Sequence, residues 1–325
     1  MNISILIVNY RGWKALAECL DSLENCISII LTFEVIVIDN FSNDGQFTTF
    51  KLKYPNFTFI ENIGNNGFSN GCNRAAIEAK GKYLLFLNPD TKIQHQALET
   101  LLQTADSYPE IGILSCLQID EKGSYYKQNL LFPAFGRFFG LSRSLYRTIY
   151  KKKLIKRFSA SDGLFYPDWV TGAVIFISRN WFDKIKGWSE DYWLYFEDVA
   201  ICKKVTELGG KIAVTQNATI FHQHGGASRI NVKTNALTKT EVIISKHVFI
   251  NNQFPTSKRV VLNVLLIIGV LIEKSFLAFI SLFLFFIPKL KVNRLMIQNL
   301  LGYYFKALKK RTWLSPRSVN YLKKA

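Results

Sequence analysis

Short runs of β-branched and aromatic residues alternate with amphipathic stretches through the first 120 residues, and this alternation restricts the chain to one kind of architecture. ISILIVNY (3–10), FEVIVIDN (33–40), FTFIEN (57–62), KYLLFLNPD (82–90) and IGILSC (111–116) read as strands. Segments near 14–24, 69–79 and 95–107 carry helical spacing between them. Strands that are apolar on both faces, separated by helices, predict an α/β fold with a mostly parallel central sheet. In such sheets ligands sit beyond the carboxyl ends of the strands. Three of the runs end there on polar residues: Asn9-Tyr10, Asp39-Asn40 and Asn88-Pro89-Asp90. The pattern breaks over 117–165, which is aromatic, basic and without a clear period, and which reads as an insertion or flexible cap. It resumes at Trp169-Val170 and 173–177, with a helix from Glu197 to Leu208 and strands at 211–214 and 218–221.

Charge is distributed unevenly. The formal net charge is +17, with nine cations and no acid between Lys127 and Arg157, and ten cations and no acid from Lys289 onward. Such concentration implies a polyanionic neighbour: anionic lipid, a pyrophosphate-bearing substrate or nucleic acid. No nucleic-acid-binding module is recognisable and the cations flank aromatic and apolar stretches, so nucleic acid is set aside. Five scattered cysteines form neither a disulfide framework nor a zinc site, and read as buried cytosolic thiols. The opening MNISILIVNYRGW lacks a basic leader and reads as a first strand.

Residues 260–288 stand apart. Their length and apolarity suit a bilayer, but Glu273 and Lys274 fall at the middle. Cations flank both ends, so a single span would export a basic tail against the positive-inside tendency. Two apolar halves meeting at Glu273-Lys274 predict an in-plane or re-entrant hairpin at the cytoplasmic face of the membrane. A single span and a buried core helix are the alternatives. The division expected is a catalytic domain over 1–250 and a membrane-associated region over 251–325.

Four further patterns carry chemistry. Asp39, inside VIVIDNFSNDG, suits either acceptance of a pyrimidine N–H or a turn with Ser42 to Gly45. ENIGNNGFSNGCNRA is a glycine- and asparagine-rich loop entering a helix; its glycines permit close backbone approach, and Asn73 and Arg74 reach a base or phosphate. In DYWLYFEDVAIC, Glu197 and Asp198 interrupt an aromatic run, and buried carboxylates there require a partner or a function. In FHQHGGAS, His222 and His224 are two apart, either as metal ligands or as packed imidazoles.

The ordered set VNYRGW, VIVIDNFSNDG, ENIGNNGFSNGCNRA, YLLFLNPDT, DWVTGAVIFISR, GWSEDYWLYFEDV and HGGAS resembles the family 2 glycosyltransferases over about residues 1–230. Within that family it is similar to the bacterial rhamnosyltransferase-like branch, which elongates lipid-linked envelope glycans. The resemblance implies a GT-A fold and a metal-dependent, inverting single displacement with Mg²⁺ or Mn²⁺. It further implies a nucleotide diphosphate sugar donor and a polyprenyl diphosphate-linked glycan acceptor at a membrane surface. By position, it assigns Asn9, Tyr10, Asp39, Asn66, Gly67, Asn73 and Asn88 to the nucleotide and Asp90 to the metal. His224, and less directly His222, would touch metal or diphosphate. Asp198 would be the general base, with Glu197 orienting the acceptor or the base. Two departures stand out: Ala200 replaces the second acid of a Glu-Asp-Val-Asp pattern, and the His-Gln-His spacing leaves the aligned histidine ambiguous. Nothing in these residues reads which sugar is moved.

Overall fold

In the computed structural model, residues 1–26, 31–128, 130–223, 231–284 and 286–324 are described. They divide into two compact units: 1–65, 71–188 and 198–223 make the first, and 66–70, 189–197 and the described residues beyond 224 make the second.

The first unit is built on nine strands: β1 Ile3–Asn9, β2 Phe33–Asp39, β3 Thr58–Glu61, β4 Tyr83–Leu87, β5 Thr91–Lys92, β6 Ile111–Ile119, β7 Leu164–Phe165, β8 Val174–Ser178 and β9 Lys211–His222. The sheet order is β3-β2-β1-β4-β8-β6-β9-β5, with β7 also on β9. β1 pairs in parallel with both β2 and β4, and β6 pairs in parallel with β9, while β8 runs antiparallel between β4 and β6. All seven residues of β1 and all five of β4 are buried, as expected for strands covered on both faces. The helix Trp13–Glu24 covers one face through Trp13, Leu16, Cys19, Leu20 and Leu23, a spacing that keeps one helical stripe on the sheet. The chain moves outward from β1 to β2 and β3, then returns to the other side of β1 as β4. The carboxyl ends of β1 and β4 therefore flank a topological switch point, where open α/β sheets form their crevice.

One expectation is corrected here, and one segment gains detail: the described residues of 117–165 include regular elements. β6 continues to Ile119, helices follow at Gly140–Ile149 and Lys151–Arg157, and β7 joins the sheet. In the second unit, 260–283 does not fold back at Glu273-Lys274: Thr256–Phe283 is one continuous helix. The physical reason is local. Lys274 Nζ pairs with the adjacent Glu273 Oε1 at 2.6 Å, so the two charges neutralise each other without a turn. Neither residue breaks a helix, whereas a bend would leave backbone groups unpaired. That helix ends at Phe283, and Pro288 opens the next one, Pro288–Lys310. Thr256–Phe283 is long and apolar enough to cross a membrane by length and composition.

Buried polar contacts tie the second unit together. His247, on the helix Val232–Gln253, donates from Nδ1 to Asn263 Oδ1 at 2.6 Å, lies 3.1 Å from the Tyr304 hydroxyl and stacks on Trp313 at 4.8 Å. Burial holds its pKa down to about 4, so it is neutral at physiological pH. Glu241 is fully buried and accepts hydrogen bonds from Ser315 Oγ and Arg317 Nη1, each at 3.2 Å. Asn320 and Asn252 donate to the two oxygens of Asp191 at 2.9 and 3.0 Å, and Arg317 lies over the Trp193 ring. Residues 313–320 thus clasp the segment 189–193.

Burial already raises the Glu241 pKa, so its ionised form is disfavoured in the fold and stability falls as pH rises past the ordinary carboxylate range. Arg317→Ala removes the compensating cation. It should cost about 1–3 kcal/mol, with a larger loss of Tm at about pH 8 than at about pH 5. Thermal denaturation at both pH values checks this; equal losses would show that the pair carries no electrostatic weight.

Candidate active site

The register of β1 on β2 sets Asn9 opposite Asp39 at their carboxyl ends. Both are fully buried, and Asn9 Nδ2 donates to Asp39 Oδ1 at 3.0 Å. Asp39 also accepts from the Ser42 hydroxyl at 2.6 Å and from the Ser42 amide at 2.7 Å. Asp39 therefore closes the turn after β2 from its own side chain. Around it the chain takes left-handed conformations at three residues that are not glycine, Arg11 (φ 54°), Phe41 (φ 60°) and Asn43 (φ 45°). Such geometry persists only where surrounding contacts hold it, as they do here: Arg11 N and Nε donate to Ser42 Oγ and O at 2.7 and 3.2 Å. Tyr10 stays exposed under the Arg11 guanidinium.

The glycine-rich loop is divided in its contacts. Asn73 uses both ends of its amide on the Trp188 backbone, at 2.9 and 3.0 Å, a contact inside the first unit. Gly67, in the second unit, has φ +93°, and a Cβ there would meet Trp193 O at 2.3 Å. With Phe68 N donating to the same oxygen at 3.0 Å, the glycine is required for backbone contact with the Trp193 segment. Asn66 lies in that same stretch of the second unit.

Beyond β4 the chain turns through Asn88-Pro89-Asp90 into β5, with Asn88 O accepting from Thr91 Oγ1 at 2.7 Å. β5 pairs with the end of β9, setting Thr91 opposite His222. This brings Asp90 Oδ1 to 3.3 Å from His222 Nε2, and both side chains are largely buried. On its other nitrogen, His222 Nδ1 lies 2.9 Å from Gln118 Oε1, so Nδ1 carries the proton and donates. The Nε2 lone pair then faces a carboxylate oxygen, and a proton or a cation has to lie between them. Two converging lone-pair donors, one carboxylate and one imidazole fixed by a second residue, fit a divalent cation that takes its remaining ligands from phosphate and water. Among the described residues no group of three or more His, Cys, Asp or Glu converges on one point. His224 lies outside the described residues.

Gln118 and Thr171 are not singled out by the sequence, yet they connect the two halves of the site. Gln118 Nε2 donates to Thr171 Oγ1 at 3.2 Å, and the next residue, Gly172, donates its amide to Asp198 Oδ2 at 3.2 Å. Asp198 also accepts from the Val199 amide at 2.8 Å, at the start of the helix Glu197–Glu207. Those amides and the positive helix end favour the ionised carboxylate, but burial outweighs them, and the Asp198 pKa is pushed up to about 6. Glu197, which precedes it, is buried and belongs to the second unit. The only sequence signal for Gln118 is a polar residue near the end of an apolar strand.

Residues 4–163 match the family model described as Glycosyl transferase family 2. The chain is 24% identical to an N-acetylglucosaminyl-diphospho-decaprenol L-rhamnosyltransferase of Mycobacterium tuberculosis, over 68% of this chain and 75% of that protein. It is 28% identical to the rhamnosyltransferase WbbL of Escherichia coli, over 46% of this chain and 58% of that one. Among solved structures, a mannosyltransferase of Pyrobaculum calidifontis, in complex with GDP-Man and Mn²⁺, superposes with a TM-score of 0.55 at 14% identity. That match spans 78% of this chain and 65% of the other. The fold is GT-A.

Asp39→Ala should remove the acceptor of three donors, two of them buried side-chain groups, at a cost of about 1–3 kcal/mol for each donor left unpaired. Its Tm should fall whether or not nucleotide is present, and calorimetry of the ligand-free variant checks this. An unchanged Tm would show that the carboxylate has no structural role.

Proposed function

We propose that the chain, whose residues 4–163 match the model described as Glycosyl transferase family 2, moves a sugar, by inversion, from a nucleotide diphosphate donor to a hydroxyl of a lipid-linked envelope glycan. The observation that carries this reading is the hydrogen-bonded run from Asp90 and His222, through Gln118 and Thr171, to the loop that caps Asp198. It joins a pair of groups suited to a charged diphosphate with a carboxylate basic enough to take a proton near neutral pH.

In the proposed step the acceptor hydroxyl gives its proton to Asp198 as its oxygen bonds to the anomeric carbon. The bond from that carbon to the diphosphate oxygen breaks, and the electron pair leaves with the nucleoside diphosphate. A base with a pKa near the working pH suits this transfer, since it is ionised and still holds the proton well. Asp90 and His222 would hold a divalent cation, Mg²⁺ or Mn²⁺, which when bound would offset the charge of the leaving diphosphate. Asn9, Tyr10, Asp39, Asn66, Gly67, Asn73 and Asn88 are assigned to the nucleotide. For Asp39 and Asn73 the role is to shape the loops that meet it, since their polar atoms are engaged within the protein. Glu197 orients the acceptor or the base.

The rhamnosyltransferases among the relatives support rhamnose as the sugar, and the decaprenol-linked substrate in the name of one supports a polyprenyl diphosphate-linked acceptor. Such an acceptor is anionic and held in a bilayer, which accounts for a basic chain with an apolar helix at Thr256–Phe283. The proposed location is the cytoplasmic face of the membrane, with 1–250 catalytic and 251–325 membrane-associated.

Asp198→Asn should lower kcat by about 10²–10⁴-fold while leaving donor affinity intact. In the unaltered protein kcat/KM should fall about tenfold per pH unit below the Asp198 pKa and level off above it, because only the ionised carboxylate accepts the proton. Steady-state kinetics with a lipid-linked acceptor, paired with donor calorimetry, tests both; turnover retained in the variant would remove Asp198 from the role.

A further inference from the structure

The helix Gly140–Ile149 leaves an apolar stripe uncovered. Leu141, Leu145 and Ile149 follow one another at intervals of four residues, on one face, and are 86%, 60% and 64% exposed. Ile155, on the adjoining helix Lys151–Arg157, is also exposed at 61%. Single exposed apolar residues are ordinary on a protein surface, but a contiguous stripe marks a place where something docks.

The charge around the stripe narrows the choice of partner. Of the nine cations in 127–157, Arg137 and Arg157 pair with Asp168. Among the described residues no ion pair engages Arg143, Lys151, Lys152, Lys153 or Lys156. Burial first, then the nearby Arg143 and Arg137, lower the Arg147 pKa, so several cations gather on this segment. A second copy of the chain would set like charge against like. Nucleic acid would meet the cations but leave the leucines in water. A bilayer with anionic headgroups satisfies both, taking the apolar stripe into the acyl boundary and the cations among the phosphates.

We propose that Gly140–Ile149, continued by Lys151–Arg157, is an interfacial membrane-docking element of the catalytic unit, separate in sequence from the apolar helix Thr256–Phe283. This rests on the reading of the acceptor as membrane-held. It adds a second, independent contact, since a single weak anchor gives only reversible binding.

Co-sedimentation of the full chain with vesicles of phosphatidylglycerol and phosphatidylcholine, against phosphatidylcholine alone, tests the proposal. The triple variant Leu141→Glu, Leu145→Glu, Ile149→Glu changes only exposed side chains and should keep its Tm. It should lose at least about tenfold in vesicle affinity. Lys151→Gln, Lys152→Gln, Lys153→Gln should weaken binding to the anionic vesicles alone. If the unaltered chain binds and the triple Glu variant binds equally well, the docking element is overturned while the membrane reading stands. If the unaltered chain binds neither vesicle, the membrane reading fails with it. Loss of the same affinity in the triple Glu variant for an acidic protein, without any vesicle binding, would assign the stripe to a protein partner and likewise overturn the proposal.

Discussion

Parallel pairing of β1 with both β2 and β4 is the constraint on which the site depends. It gathers three strand ends at one edge, where the strand order reverses, and leaves their polar residues no route back into the apolar sheet. Asn9 answers that by bonding to Asp39, and Asp39 by accepting also from Ser42, which satisfies groups that would otherwise be costly to bury. The strained turns at Arg11, Phe41 and Asn43 are held by the same contacts.

The third strand end works differently. β4 delivers Asp90 against His222 through a two-residue strand, β5, which pairs with the end of β9. From there Gln118 fixes the imidazole tautomer, Thr171 fixes Gln118, and the neighbouring amide of Gly172 caps Asp198. Asp198 illustrates how the competing effects resolve. Two backbone amides and a helix N-terminus all favour its charge, yet desolvation wins and leaves a carboxylate that is ionised but basic at neutral pH.

Much of this is legible in the sequence, because near-continuous apolar runs ending in Asn or Asp leave few architectures open. The mostly parallel sheet, its first five strands and the polar strand ends follow from that pattern. What escapes it has physical causes. Leu141, Leu145 and Ile149 carry a period of four, but the surrounding aromatics and cations hide the helix that presents them. Glu273-Lys274 reads as a break because each charge is weighed separately, whereas adjacent opposite charges neutralise each other along one continuous helix. Gln118 and Thr171 act only through partners some fifty to a hundred residues away, which no local pattern encodes. Asp39 is ambiguous in sequence for a good reason: the turn it makes with Ser42 exists in the structure whatever it does for a nucleotide.

Asp90 and His222 are proposed to hold a nucleotide diphosphate through a divalent cation. Thermal denaturation of the full chain with UDP, GDP and dTDP, each with Mn²⁺ or Mg²⁺ and again with EDTA, tests it directly. One nucleotide at 100 times its Kd should add about 2.7 kcal/mol of stability with metal present. That gain should shrink with EDTA and in Asp90→Asn, while the ligand-free variant keeps its Tm. A gain that survives both EDTA and the loss of Asp90 would mean that the diphosphate is held elsewhere.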